Sequence, residues 1–268
     1  MSIAAADGGG YAPGPIAAAD GGWVRAGSRK LITMSQSVTF TEFEPADFRR
    51  AIDRFVAVYA AAMRPPERML SGRDSILSRH TTNPGFRALV AVAAAGDGNG
   101  ASGPAEIAGF TYGFHGARGQ WWHDMVASAL GASSAPDGMT TPDGMRSAAA
   151  WLDDSFEVAE LHVLPAYQGA GIGRSLLRQL LSGRTERTAL LSTHDTESKA
   201  RRLYRGVGFT DLLTGFRFYG GDSPYAVMGA RLPLLPEERS GREGRHRPDA
   251  AASPAPPDSP PDSPRPSC

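Results

Sequence analysis

The stretch Gln168-Gly-Ala-Gly-Ile-Gly173 lies between a segment that alternates like a strand and one spaced like a helix. Glycines before a helix let the backbone approach a ligand closely. The first N–H groups of that helix then converge where its dipole is positive, an arrangement suited to phosphate. Just upstream, Glu160 and His162 stand two residues apart, so a carboxylate and an imidazole share one face of the strand. Either group is able to accept a proton from a bound ligand. Two familiar phosphate loops are excluded. The dinucleotide fingerprint needs a third glycine where Arg174 stands, and a Walker loop needs a Gly-Lys-Ser/Thr that does not follow.

The elements around this loop are legible from periodicity. Phe156, Val158, Glu160 and His162 are expected on one side of a strand, with Ala159, Leu161 and Val163 on the other. Pro165 ends that strand by removing a donor. Ile172, Leu176, Leu177, Leu180 and Leu181 follow helical spacing, with Gly183 just past the helix end. Upstream, Val38 and Phe40 mark a first strand, and Pro45 opens a single helix with apolar positions from Phe48 to Met63. A shorter helical segment covers 69–80. Strands follow at 86–95 and 107–114. Downstream come a strand at 188–193, a helix at 198–207 bearing Tyr204, and strands at 209–218 and 225–232.

The composition narrows the function classes. Charges balance at 28 basic and 28 acidic residues, and no basic helix stands out, so no nucleic-acid partner is expected. The single cysteine, Cys268, is the last residue, which leaves no internal disulfide and no Cys-based metal site. No metal is expected. The longest apolar run, around 88–95, is too short for a bilayer, and the N-terminal residues lack a secretory pattern. The expected place is the cytoplasm, with no membrane partner. Residues 1–36 read as a disordered leader, 37–235 as one domain with an insertion at about 116–150, and 236–268 as a disordered Pro-rich tail. The insertion is a lid, a specificity element or a tolerated surface loop.

The pattern Gln-x-x-Gly-x-Gly after a strand ending in Val-x-Pro resembles the acetyl-CoA diphosphate loop of the GNAT superfamily of N-acetyltransferases. The segment ending Leu203-Tyr-Arg-Gly-Val-Gly-Phe209 is similar to that family's second signature. The element order over roughly residues 37–235 matches as well. The resemblance implies an α/β (α+β) fold of GNAT type, with a central, mostly antiparallel twisted sheet flanked by helices. It implies acetyl-CoA as acyl donor and direct attack by a primary amine, from a small molecule or from a protein or peptide, within a ternary complex. A monomer or homodimer is expected. The rival from another class is a non-catalytic acyl-CoA-binding sensor of the same fold.

The resemblance also implies roles. Glu160 matches a strand glutamate that serves as base, and Tyr204 the tyrosine that protonates the departing sulfur. The backbone of Leu161, His162 and Val163 would pair with the pantetheine arm. The amides of Gln168, Gly169, Ala170, Gly171, Ile172, Gly173 and Arg174 would hold the diphosphate, with the Arg174 charge in support. Glu197 departs from the usual asparagine, and a carboxylate there is expected to point away from the phosphates. The acceptor side draws candidates from Arg64, Trp121, Trp122, Asp124 and Asp222. An acidic lining would suit a polyamine or aminoglycoside, and an open groove a peptide.

Overall fold

The computed structural model describes residues 29–32, 37–94, 105–133, 148–218 and 223–235. The expected tail at 236–268, residues 134–147 of the expected insertion and Asp222 lie outside the described residues, as does most of the expected leader. Within that leader, Arg29–Ile32 forms a strand, β1, paired antiparallel with the next one. No helix among the described residues is long and apolar enough to cross a membrane.

Among the described residues eight strands form one sheet: β1, then β2 (Ser37–Phe43), β3 (Arg87–Ala93), β4 (Glu106–Gly116), β5 (Ser155–Val163), β6 (Thr188–His194), β7 (Thr210–Phe216) and β8 (Tyr225–Arg231). Their spatial order is β1-β2-β3-β4-β5-β6-β8-β7. Every neighbouring pair is antiparallel except β5 and β6. The mostly antiparallel sheet expected from the sequence is therefore observed. The helices are α1 (Pro45–Arg50), α2 (Ile52–Met63), α3 (Arg73–His80), α4 (Trp121–Ser133), α5 (Ala148–Leu152), α6 (Ile172–Leu181) and α7 (Lys199–Arg205). The single helix expected after Pro45 is broken at Ala51, whose backbone (φ −105°, ψ 8°) leaves the helical region.

The apolar stripe of α6 does what its spacing predicts. Ile172, Leu176, Leu177, Leu180 and Leu181 are all buried against one sheet face, where Phe156, Val158, Leu191, Tyr204 and Phe209 complete the core. Burial of each such leucine contributes roughly 2 kcal/mol. The opposite face carries two further clusters. Phe48, Phe55, Leu77, Phe110 and Tyr112 pack under α1–α3. Val126, Leu130, Leu190, Phe218 and Val227 pack under α4 and α5.

One irregularity reorders β5. Tyr112 pairs with Glu160 but Gly113 pairs with Val158, so Ala159 is an extra residue in the ladder. A bulge of this kind shifts everything beyond it to the other face. Phe156 and Val158 point toward α6, whereas Glu160 contacts α3 and Ala159 packs in the α1–α3 cluster. The simple alternation expected from the sequence, with all four residues on one side, is thus corrected. Gly113 is required at this point, because a Cβ there would lie 2.3 Å from the Glu157 carbonyl oxygen.

Candidate active site

The parallel pairing of β5 and β6 covers only Ser155–Glu157 against Thr188–Leu190. Beyond Glu157 and Leu190 the ladder stops, and the remainder of β5 has an unpaired edge toward β6. Which backbone groups occupy that edge follows from alternation. The Leu164 N–H donates to the Ala108 carbonyl at 2.8 Å, on the β4 side. Successive strand residues turn their N–H groups to opposite edges, so Val163 and Leu161 face the open side. The Gln168 side chain agrees, donating its Nε2–H to the Val163 carbonyl at 3.0 Å. His162, expected among the residues facing that edge, has its backbone turned toward Phe110 on β4 instead.

The glycine loop closes the same edge. Gly169 (φ 85°) and Gly171 (φ 81°) adopt the left-handed conformation that side-chain-bearing residues avoid. Gly171 is the N-cap of α6, and no side chain caps this helix. The first helical bond there runs from the Ser175 N–H to the Gly171 carbonyl at 3.0 Å. The N–H groups at the start of α6 therefore have no intrahelical acceptor. Arg174 in this first turn donates to the Gly206 carbonyl at 2.9 Å, tying α6 to the end of α7.

Glu160 sits in a buried polar cluster. Its Oε1 accepts from Arg73 Nη2 at 2.5 Å, its Oε2 meets His162 Nε2, and all three side chains are essentially out of solvent. Arg73 lies over the Tyr59 ring, 3.3 Å from its centroid, and that ring meets His162 edge-on at 5.1 Å. Burial alone would raise the Glu160 carboxyl, but the Arg73 charge and the His162 contact hold it at about 2. Burial lowers His162 below the usual imidazole value. Both Glu160 oxygens are thus engaged, and the group is a weak proton acceptor.

Glu157 behaves in the opposite way. It is 7% exposed, its Oε2 has no partner among the described residues, and burial pushes its carboxyl up to about 8. It stands at the last β5–β6 pair, where the strands part. Its neighbour Phe156 points toward α6, so Glu157 points to the opposite face, as does its pair partner Leu190. Sequence reasoning passed over this residue. The available signal was a carboxylate inside a strand set directly between two apolar residues, Phe156 and Val158.

Tyr204 is 3% exposed in the core between α6 and α7, and burial raises its hydroxyl well above the ordinary value. Glu197 is exposed, and its carboxylate accepts from Arg205 at 2.7 Å. Arg205 also holds Asp211 at 2.8 Å. The buried Arg201 binds both Asp195 and Asp211, pinning the start of α7 to the loop after β6 and to β7. Of the acceptor-side candidates, Trp121, Trp122 and Asp124 come together at the start of α4. Arg64 ends α2 in a left-handed conformation (φ 47°).

A family model described as an acetyltransferase (GNAT) domain matches residues 143–211, which hold β5, the glycine loop, α6, β6 and α7. The GCN5-like protein acetyltransferase Rv2170 of Mycobacterium tuberculosis (strain ATCC 25618 / H37Rv) is 36% identical over 214 residues, covering 74% of this chain and 100% of that protein. The N-alpha-acetyltransferase RimI of the same organism is 42% identical over 64 residues, 24% of this chain and 40% of that protein. The crystal structure of Arabidopsis thaliana NAA60 in complex with acetyl-CoA matches with a TM-score of 0.45 at 17% identity, covering 73% of this chain and 98% of that one. Similarity to the whole length of a 36% identical relative establishes that this chain is an acyltransferase belonging to the GNAT superfamily of N-acetyltransferases.

Proposed function

We propose that the protein transfers an acetyl group from acetyl-CoA to a primary amine by direct attack in a ternary complex. The observation that carries this is the stop in β5–β6 pairing after Glu157 and Leu190, which opens an edge of β5 next to uncapped helix N–H groups. A pantetheine arm is an extended chain with amides, and the Leu161 and Val163 backbone would hold it as a missing strand would. The N–H groups from Gly169 to Arg174 would bind the diphosphate.

An amine must be neutral to attack. A lysine-like amine at pH 7 costs roughly 4–5 kcal/mol to deprotonate from its usual value near 10.4. Glu157, raised to about 8 by burial, is a far better proton acceptor than Glu160 at about 2. We assign Glu157 as the base and give Glu160, expected from the sequence as base, the role of positioning β5 through Arg73 and His162. A Val163 N–H on the open edge would stabilise charge on the thioester oxygen. Tyr204, protonated at any working pH, would supply the departing thiolate with a proton. No cysteine precedes residue 268, so a thiol relay within the domain is not part of the route. The relative similar over its whole length is named a protein acetyltransferase, which makes a protein or peptide acceptor the favoured class. The cytoplasm is the proposed compartment, and a monomer or homodimer the proposed assembly.

Initial-rate kinetics test the scheme. Intersecting lines on varying acetyl-CoA at several amine concentrations are expected. Parallel lines would establish an acyl-enzyme instead and overturn direct transfer.

A further inference from the structure

Each turnover of the proposed reaction leaves one proton over. A protonated amine and acetyl-CoA give an acetamide, the coenzyme A thiol and H⁺. Glu157 takes the first N–H proton. The second leaves the nitrogen as the N–C bond forms and the C–S bond breaks, and it ends on the sulfur. Glu157 must therefore discharge before it serves again, yet it is buried at the fork of β5 and β6. With donor and acceptor filling that split, the way out runs through the protein.

The side of β5 away from the split offers one. Arg73, Leu77 and His80 form a stripe at i, i+4 and i+7 on α3. Arg73 holds Glu160, and His80, two turns on, meets the Phe114 ring at 5.1 Å. Phe114 pairs with Glu157 across the ladder. Two helical turns rise roughly 10 Å, about as far as three strand residues at roughly 3.3 Å each. The helix thus puts a guanidinium over one carboxylate and an imidazole level with the other. Tyr112 on β4 stands beside both. It pairs with Glu160 and has Glu157 as its diagonal neighbour on the same face. Such diagonals lie roughly 7–8 Å apart, within reach of an aromatic side chain. Burial raises the Tyr112 hydroxyl well above its ordinary value, and Glu160 and Glu157 add to the rise against the Arg73 charge. The hydroxyl meets His80 Nδ1 at 2.9 Å. Tyr112 is fully buried, whereas His80 is half-buried at the last residue of α3. Burial lowers His80 to about 4, with Glu160, Arg79 and Arg73 as the charges that face it, so the ring is neutral at pH 7 and does not retain a proton.

We propose that Tyr112 and His80 are the path by which Glu157 returns its proton to solvent. The inference rests on the acyl-transfer reading and on Glu157 as the base. The Tyr112 oxygen takes the Glu157 proton, directly or across one water, while its own O–H proton passes to His80 Nδ1. The imidazolium sheds its Nε2 proton to solvent, and a flip of the half-exposed ring restores a bare nitrogen to Tyr112. Both residues lie beyond the β4 edge of β5, so the path stays open while the split is occupied.

The test follows coenzyme A release by the full chain with acetyl-CoA and each of four amines: a peptide with a free N-terminus, a lysine peptide, a small alkylamine and an aminoglycoside. With an amine that turns over, Tyr112→Phe and His80→Gln are each expected to lower kcat about tenfold or more, with the KM for acetyl-CoA within about twofold. Glutamine keeps an acceptor for the Tyr112 hydroxyl but takes up no proton, so a merely structural role would leave that variant near native turnover. His80→Ala is expected to lose as much and to regain turnover as imidazole is added at constant pH, while the native rate does not respond. Near-native kcat in Tyr112→Phe or His80→Gln, or a loss in His80→Ala that imidazole leaves unchanged, would overturn the path while leaving acyl transfer standing. Release of coenzyme A with none of the four amines would overturn both.

Discussion

The Arg73 guanidinium on α3 and the Glu160 carboxylate on β5 meet at 2.5 Å, 87 residues apart in the chain and both essentially without solvent exposure. A buried pair of this kind joins α3 to the strand segment whose other edge stands open. It also leaves Arg73 Nε and Nη1 without partners among the described residues, so Glu160 is the main compensation for that charge.

Removing one partner should therefore be costly. Glu160→Ala is expected to destabilise the fold by about 3–5 kcal/mol, because an uncompensated guanidinium remains buried. Arg73→Met together with Glu160→Gln should cost less than the two single losses added, since neither variant group then carries charge. Urea denaturation of the native protein, Arg73→Met, Glu160→Gln and the double variant checks this. Strict additivity would mean that the pair does not act as a unit.

Acid should act on the same pair. The Glu160 carboxyl is lowered from 4.5 to about 2, so its contribution is fully present above about 4.5 and is lost as pH falls toward 2. Unfolding followed between pH 5 and 2 should show that slope, and Glu160→Gln should flatten it. A slope unchanged by the substitution would assign acid lability to other carboxylates.

Glu157 should show the opposite sign. Its carboxyl rises from 4.5 to about 8 on folding, so stability is highest below about 4.5 and declines as pH climbs toward 8. Glu157→Gln is thus expected to be more stable than the native protein at pH 8 and little different at pH 4. As the assigned base, the same variant should lose roughly 10²–10⁴-fold in turnover and lose the step near pH 8 from the rate profile. Retained turnover with that step intact would return the base to another group.

Tyr204→Phe removes only a hydroxyl from a packed ring. Turnover is expected to fall about tenfold or more if thiolate protonation is rate-limiting, with acetyl-CoA affinity within about twofold. Calorimetry and coenzyme A release measured side by side separate the two effects, and unchanged turnover would reduce Tyr204 to core packing.

Much of this molecule was legible before folding. The glycine loop, the five buried apolar positions of α6, the strand ended by Pro165 and the helix bearing Tyr204 depend on local rules of spacing and backbone freedom, which a linear chain displays. Two signatures at the right separation sufficed to indicate the superfamily. The break at Ala51 and the strand at Arg29–Ile32 were not legible, because each depends on what the segment packs or pairs against.

The choice of Glu157 as the proposed base rests on the tertiary structure alone. Alternation by itself put Glu160 on the same side as Phe156 and Val158, and nothing local announced that Ala159 would be left unpaired. The bulge arises because β4 offers Tyr112 and Gly113 to three residues of β5, a register set between strands dozens of residues apart. Arg73 reaches Glu160 from a helix equally remote, and the end of β5–β6 pairing leaves Glu157 at the fork. Proton affinity is a property of surroundings. For that reason the chain displayed two carboxylates, and only their burial and partners separated the one at about 2 from the one at about 8.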